Sequence, residues 1–138
     1  MTQIYTSYFA NISNLPKDAL PISIALYPPK GTFIIEYKLL APSKSILGEY
    51  KASVDVNKDK IYVNRFTNEI LSVLNIKYVL YDLLHTGHSH DIILLCYERP
   101  EKFCHRHLVA NWLNSDKWFR DHFPEVIEYG IYNKERLK

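Results

Sequence analysis

The stretch Asp91-Ile-Ile-Leu-Leu-Cys96, with the loop 97–103 and the segment Cys104-His-Arg-His-Leu-Val-Ala-Asn-Trp-Leu113 behind it, decides the fold. The continuous apolar run has the length of one strand and is typical of a strand that is buried on both faces. The apolar residues of the second segment recur at helical spacing, which predicts a helix from Cys104 to about Asn114. A buried strand that leads through a loop into a helix is the unit from which parallel α/β sheets are built.

Further strands are predicted before and after this unit. Ile4 to Phe9 is rich in Tyr, Thr and Phe, and Pro21 to Tyr27 has its proline at the first strand position. Shorter extended pieces are predicted at 32–37, at Ile61-Tyr-Val63 as an edge strand, and at 126–129.

Helices are predicted between these strands. Ser43 begins the first, and Thr67 or Asn68 caps a second, which reaches residue 74. A third follows Asn75, carries apolar residues at 76, 79, 80, 83 and 84, and ends near Gly87. The alternation predicts an α/β fold of three layers, with a small, mostly parallel sheet that is covered on both faces. No linker or repeat divides the chain, so residues 1–138 are expected to form one domain.

The composition excludes several classes of protein. Lys and Arg number 17 against 15 Asp and Glu, which argues against a protein that binds nucleic acid through bulk positive charge, without excluding nucleic acid as a partner. The apolar runs are too short to span a bilayer, and the first residues have no signal-peptide pattern, so no membrane partner is expected. Two cysteines do not make a disulfide scaffold, and a reduced, cytoplasmic protein is therefore expected.

The residues able to do chemistry gather where the buried strand ends and the next helix begins. In open parallel sheets, ligands bind beyond the carboxyl ends of the strands, and a helix N-terminus attracts anions. Helical spacing places Cys104 and His105 on the sheet-facing side, Arg106 at the edge and His107 in solvent. A thiol in the first helical turn beside His105 and Arg106 is expected to have a lowered pKa. Cys104 is therefore the expected nucleophile or redox thiol.

Each of these residues also has a purely structural interpretation. Cys96 can be a small buried hydrophobic residue, and His105 can hydrogen-bond a carbonyl at a strand end. Glu98 either moves a proton in catalysis or forms a salt bridge with Arg106. The sequence leaves open whether Cys96 and Cys104 form a disulfide.

Neither a metal nor another cofactor is expected from the sequence. His85, His88 and His90 flank a glycine and read as a polar turn. Together with Cys96 and Cys104, which are eight positions apart, they match no standard zinc spacing. The sequence also contains no Gly-rich phosphate loop and no zinc-protease helix motif.

The segments Leu94-Leu-Cys-Tyr-Glu98 and Phe103-Cys-His-Arg-His-Leu-Val-Ala-Asn-Trp-Leu113 closely resemble the signature of the DUF488 family, a domain of unknown function. Ile4-Tyr-Thr-Ser-Tyr8 resembles the first strand of that family, and Tyr27-Pro-Pro-Lys30 resembles a subgroup of short bacterial and phage proteins. The resemblance implies a compact Rossmann-like α/β domain. It marks five site residues, namely Cys96, Glu98, Cys104, His105 and Arg106, and implies no known activity.

The same resemblance adds ligand-binding candidates elsewhere in the chain. Tyr5 and Ser7 lie in the segment that resembles the first strand of the family. Longer family members often have an arginine after the second strand, where this chain has no equivalent arginine, so Lys30 is expected to substitute as a point charge.

These residues support three hypotheses about function. The first is a cysteine-dependent enzyme for a nucleotide or another small phosphorylated molecule. In it, Arg106 holds the anion, Glu98 or His105 moves protons, and Cys96 lies beneath Cys104 as a second thiol. The second is a non-catalytic module that binds or senses a nucleotide or a short nucleic acid. The third is a protein-interaction domain in which the cysteines and histidines serve only the core.

Overall fold

Five strands form one parallel sheet in the part of the chain that this computed structural model describes, residues 2–31, 33–88, 90–98 and 103–129. They are β1 (Ile4–Tyr8), β2 (Ala19–Ser23), β3 (Ile35–Glu36), β4 (Asp91–Cys96) and β5 (Ile127–Glu128). Their order across the sheet is β3-β2-β4-β1-β5, and all neighbouring pairs run parallel. The predicted α/β class with a Rossmann-like sheet is confirmed.

Strand β4 lies at the centre of the sheet, as its apolar run predicts. Ile92 pairs with Ile4 of β1 on one side and with Leu20 of β2 on the other. The four residues from Ile92 to Leu95 are fully buried. The larger hydrophobic cluster lies on the face of Ile92 and Leu94, and a smaller one lies on the face of Ile93 and Leu95.

The helices pack mainly on the larger cluster. They are α1 (Lys44–Ala52), α2 (Lys58–Glu69), α3 (Ile76–Gly87), α4 (His105–Asn114) and α5 (Lys117–His122), with 3₁₀ turns at Phe9–Asn14, Lys38–Leu40 and Leu71–Val73. Side-chain oxygens of Ser43, Asn75 and Asp116 accept hydrogen bonds from first-turn amides of α1, α3 and α5. None of the described helices combines the length and the hydrophobicity that a bilayer crossing requires.

The second predicted strand is shifted in the structure. It runs over Ala19–Ser23 and not from Pro21 to Tyr27, so Pro21 lies inside it. The proline is tolerated because β3 pairs only with Ile22 and Ser23, which leaves that side of β2 open at Pro21. The extended piece predicted at 32–37 is reduced to β3, and Thr32 lies outside the described residues. Phe9, predicted as a strand residue, begins a 3₁₀ turn.

The edge strand predicted at 61–63 and the short helix predicted from 67 or 68 to 74 are wrong. Ile61 to Val63 lie in α2, because Tyr62 and Phe66, four positions apart, are both buried against the core. Thr67 and Asn68 are interior residues of the same helix and cap nothing. Helix α5 was not predicted at all.

The C-terminus of α3 also differs in detail. Gly87 is its last residue, and His88 takes the left-handed conformation at the cap, with φ of 49°. A methyl group added at Gly87 would meet the side chain of Ile92 at 3.2 Å. The helix therefore ends at Gly87 as predicted, but His88 is the left-handed cap residue, and the glycine provides a close approach between α3 and β4.

Candidate functional site

A cavity of about 670 Å³ opens beyond the carboxyl ends of β2 and β4. That volume is within the roughly 300–1,000 Å³ of ligand pockets in proteins. The position is the one at which open parallel sheets bind ligands. Its lining comes from the ends of both strands, from α1, α2 and the N-terminus of α4, and includes four predicted site residues, Cys96, Glu98, Cys104 and His105.

The two cysteines meet at the inner end of this cavity. Cys96 is the last residue of β4, and Cys104 is the extended residue immediately before α4. Their sulfur atoms lie within bonding distance, so the structure pairs them as a disulfide, with the Cα atoms 7.1 Å apart. The residues are 4% and 6% exposed, and both contribute to the cavity wall. The pairing that the sequence left open is therefore present in the structure.

His105 is held in one orientation by a hydrogen bond at Nε2 and by a close contact of Nδ1 with a sulfur atom. Nε2 lies 2.6 Å from the carbonyl oxygen of Ile24, just beyond the end of β2. Because a carbonyl oxygen can only accept, we assign the proton to Nε2, which leaves a lone pair on Nδ1. Nδ1 lies 3.2 Å from Sγ of Cys96. The basic nitrogen of His105 therefore faces Cys96, whereas the sequence predicts Cys104 as the nucleophile.

The imidazole of His105 is neutral at physiological pH. Burial lowers the pKa of His105 to about 4, and nearby Arg106 lowers it further while the hydrogen bond to Ile24 opposes the shift. A neutral imidazole accepts a proton from a thiol only as that thiol reacts, since no thiolate–imidazolium pair is stabilised in this buried place. Once the disulfide is reduced, the site contains a thiol (Cys96), a base (His105) and a group that orients the base (the carbonyl of Ile24).

Aromatic rings form much of the outer wall. The rings of Tyr50, Tyr62 and Phe103 are mutual neighbours, with centroid distances of 5.1 to 5.6 Å. Burial, together with the hydrogen bond from its hydroxyl to Asp59, raises the pKa of Tyr50 to about 12. Tyr27 and Tyr97 add two more rings to the lining. Such a wall favours a flat ligand that can stack.

Among the lining residues that the structure describes, the charged groups nearly cancel. Asp59 and Glu98 are exposed acids, and Lys51 is an exposed base. Glu98 lines the cavity. One interpretation of the sequence predicts a salt bridge between Glu98 and Arg106, but Arg106 pairs with Glu128. The described part of the lining therefore supplies no net positive charge that would capture a phosphate.

Arg106 faces away from the cavity and is fully buried. Its guanidinium donates from Nε to Oε1 of Glu128 at 3.0 Å and from Nη2 to Oε2 at 2.8 Å, a bidentate pair between α4 and β5. It also lies over the ring of Tyr8, with Cζ 5.8 Å from the centroid. His107, expected in solvent, is half-buried with Nδ1 4.0 Å from Oε1 of Glu128. Glu128 of β5 therefore neutralises the positive charge of Arg106, which the sequence predicts to hold an anion.

The remaining ligand-binding candidates lie elsewhere. The hydroxyl of Ser7 donates to the carbonyl oxygen of Tyr129, and the ring of Tyr5 packs edge-on against Tyr129 at 5.6 Å. Lys30 is exposed. None of these three is among the described residues that line the cavity.

The sequence missed the aromatic wall for a definite reason. The sequence pattern predicts an edge strand at Tyr62, and it gives Tyr50 no role in the site. The signal that was available is the spacing of Tyr62 and Phe66, which places both rings on one side of a helix.

The cysteine–histidine cluster is also the place where a metal ion can be held. The ligand atoms of Cys96, Cys104 and His105 all lie within 4.8 Å of one another, and all three residues are buried. Sulfur and imidazole nitrogen are the ligands preferred by zinc and related ions.

A model of the family DUF488-N3a, described as the active DUF488-N3 subclade, matches residues 5–117. The match covers most of the chain and includes every residue of the cavity wall named above. No curated protein and no solved structure matches the chain.

Proposed function

The chain belongs to the DUF488 family, and we propose that it is a cysteine-dependent enzyme that acts on a nucleobase compound bound in the cavity. The observation that carries this proposal is the convergence of two sulfurs and a correctly oriented imidazole in the wall of one cavity of about 670 Å³. The description of the matching subclade as active favours an enzyme over a structural domain.

Cys96 is the attacking thiol in this proposal. Nδ1 of His105 takes the thiol proton as Sγ of Cys96 bonds to one atom of the substrate, and the bond from that atom to its neighbour breaks. The departing neighbour takes the electron pair of the broken bond and receives the proton from His105. The product of this step is a covalent adduct on Cys96 and a neutral imidazole.

Cys104 completes the cycle from its position beside Cys96. Its thiol displaces the bound fragment from Sγ of Cys96, the fragment leaves with the proton of Cys104, and the two sulfurs form the disulfide. The dithiol has then supplied two electrons and two protons, and each half of the cleaved substrate bond carries one hydrogen. A low-molecular-weight thiol, oxidised to its own disulfide, returns the pair to the reduced state.

The substrate class follows from the lining. Stacking of a base on an aromatic side chain contributes about 1–3 kcal/mol per base, and Tyr50, Tyr62 and Phe103 offer adjacent rings. We expect a phosphate to add little, because Arg106 is paired with Glu128 and the described lining residues include two acids against Lys51. We therefore expect a nucleoside to bind about as tightly as its nucleotide. The sequence predicts a phosphorylated ligand. We instead propose a ligand that is recognised by its nucleobase and does not need a phosphate.

A second candidate function is a non-catalytic binding module. Its support is that the aromatic wall comes from α1, α2 and the approach to α4, so it would persist whether or not the sulfurs react. In that case the disulfide serves only to fasten β4 to α4.

Two measurements on the same proteins test these proposals. Thermal shift with a panel of bases, nucleosides and nucleotides detects binding, and mass spectrometry of the panel after incubation with excess thiol detects cleavage. The variants are Cys96→Ser, Cys104→Ser and His105→Gln, with His122→Gln on the surface of α5 as the matched control. Gln at 105 retains an amide donor for Ile24 but offers no base to Cys96.

The enzyme proposal expects binding by all variants and cleavage only by the wild type and His122→Gln. Cys104→Ser is expected to accumulate the adduct on Cys96, visible as a mass increase of the intact protein. Binding without cleavage by the reduced wild type would favour the binding module. The absence of any binding across the panel would refute both proposals.

A further inference from the structure

We propose that the reduced protein binds one zinc-like divalent ion through Sγ of Cys96, Sγ of Cys104 and Nδ1 of His105. This inference concerns the same side chains as the proposed enzyme, but it does not depend on turnover. The two cysteines are eight positions apart, which is not a standard metal-binding spacing. The strand–loop–helix unit, and not a short motif, brings the ligands together.

The distances between the three ligand atoms fit a tetrahedral ion after small movements of these atoms. With Zn–S of about 2.3 Å and Zn–N of about 2.0 Å, tetrahedral angles place sulfur and nitrogen about 3.5 Å apart and the two sulfurs about 3.8 Å apart. Nδ1 of His105 is 3.2 Å from Sγ of Cys96, and the whole set spans no more than 4.8 Å. Reduction of the disulfide lets the sulfurs separate, and Nδ1 of His105 has to move about 0.3 Å farther from Sγ of Cys96 to reach the tetrahedral spacing.

The orientation of His105 is the second observation that points to a metal. A histidine that binds a metal through one ring nitrogen almost always donates the other N–H to a carboxylate, a backbone carbonyl or water. Nε2 of His105 donates to the carbonyl of Ile24 at 2.6 Å, and Nδ1 faces the sulfurs with its lone pair.

Charge balance in the buried site supports the same conclusion. Two thiolates at residues that are 4% and 6% exposed would carry an uncompensated charge of −2, which burial strongly disfavours. A divalent ion between two thiolates and a neutral imidazole makes a neutral unit. All three ligands contribute to the cavity wall, so a molecule in the cavity would be close enough to supply the fourth ligand. The protein ligands thus leave an open coordination position of the kind that catalytic zinc sites keep.

Metal binding and the disulfide exclude each other, because the same two sulfurs serve both. The site is therefore expected to hold the ion under reducing conditions and to release it when the disulfide forms. While the ion is bound, both sulfurs are withheld from the dithiol reaction proposed above.

Cobalt titration of the full-length protein tests the inference. Co²⁺ added to the reduced wild type is expected to give tetrahedral d–d bands and a thiolate charge-transfer band that saturate at one equivalent and disappear on addition of Zn²⁺. Cys96→Ser, Cys104→Ser and His105→Gln are each expected to weaken binding by roughly a hundredfold or more, since loss of an outer-shell partner alone costs about 10–100-fold. His122→Gln is the control and is expected to bind as the wild type does.

Native mass spectrometry of the wild type provides a readout that requires no variant. The reduced protein is expected to retain one Zn²⁺, and the protein oxidised with diamide is expected to retain none. An octahedral cobalt spectrum, binding unaffected by oxidation, or binding unchanged in Cys96→Ser would each overturn the inference. Cobalt binding without cleavage would refute the enzyme and leave the metal site established, whereas cleavage by a reduced protein that binds no cobalt would do the reverse.

Discussion

Replacing Glu128 by Gln tests whether Arg106 is a structural residue. The guanidinium of Arg106 is 0% exposed, and its two shortest hydrogen bonds, at 2.8 and 3.0 Å, both go to this one carboxylate. Glu128 also accepts a hydrogen bond from Thr6 at 2.7 Å, so the pair joins α4 to two strands. The Gln variant keeps the shape of the side chain and removes its charge.

The expected cost follows from the burial of the two partners. Breaking a buried ion pair by removing one partner costs about 3–5 kcal/mol. The carboxylate side chain is 23% exposed, so water can reach the pair and reduce that cost. We expect Glu128→Gln to lower the free energy of unfolding by about 2–3 kcal/mol, a large part of the roughly 5–15 kcal/mol that stabilises a typical domain.

Urea denaturation of a double-mutant cycle measures this pair directly. Arg106→Met removes the cation, and the double variant Arg106→Met/Glu128→Gln removes the whole pair. The coupling free energy is expected to be about 2 kcal/mol, because removal of both partners leaves no charge buried without a partner. A coupling below about 0.5 kcal/mol would refute the structural role of the pair. Arg106→Met should also bind the nucleoside panel as the wild type does, since Arg106 does not line the cavity.

Three further predictions concern pH and helix ends. The folded pKa of His105 is about 4, below the ordinary value of 6.5, so the unfolded state binds the proton more readily and stability is lost as pH falls from about 6.5 to 4. The loss should amount to about 3 kcal/mol in urea denaturation of the oxidised wild type, and a His105→Gln variant with the same pH slope would contradict it. Asn75→Ala should cost about 1 kcal/mol, because Oδ1 of Asn75 accepts from the Tyr78 amide at 3.2 Å, and an unchanged melting temperature would count against the cap. His88→Gly should raise the melting temperature, since His88 has a φ of 49°, and a lower melting temperature would show that its side chain stabilises the turn by more than the strain costs.

The fold could be predicted where a segment carries its own pattern. Strand β4 has the predicted bounds because an uninterrupted apolar run fits only a strand with both faces buried. Helix α3 begins after Asn75 as predicted, because a capping residue and an apolar stripe coincide there. Helix α2 was missed because only Tyr62 and Phe66 face the core, among charged residues that carry no pattern of their own. The segment is helical because Tyr62 and Phe66 pack against the core, and such tertiary contacts cannot be read from the sequence pattern.

The site could be predicted only in part. The sequence identified Cys96, Glu98, Cys104 and His105, and the fold brings all four to one cavity. It could not identify Glu128 as the partner of Arg106, because the two residues meet only after β5 joins the sheet beside β1. Nor could it identify which cysteine faces the base, since that depends on the rotation of the His105 ring between Ile24 and Cys96.

The N-terminal turn of α4 divides its two basic residues between opposite surroundings. His105 is directed to the cavity and is neutral, while the next residue, Arg106, is charged and directed to Glu128. Neither provides a free positive charge beside the sulfurs, so the reason for expecting a ready thiolate at Cys104 no longer holds. The thiols of the reduced site must then lose their protons either to His105 during reaction or to solvent when a metal ion binds the sulfurs. Both routes pass through Nδ1 of His105, and the choice between them depends on whether an ion is present when the substrate arrives.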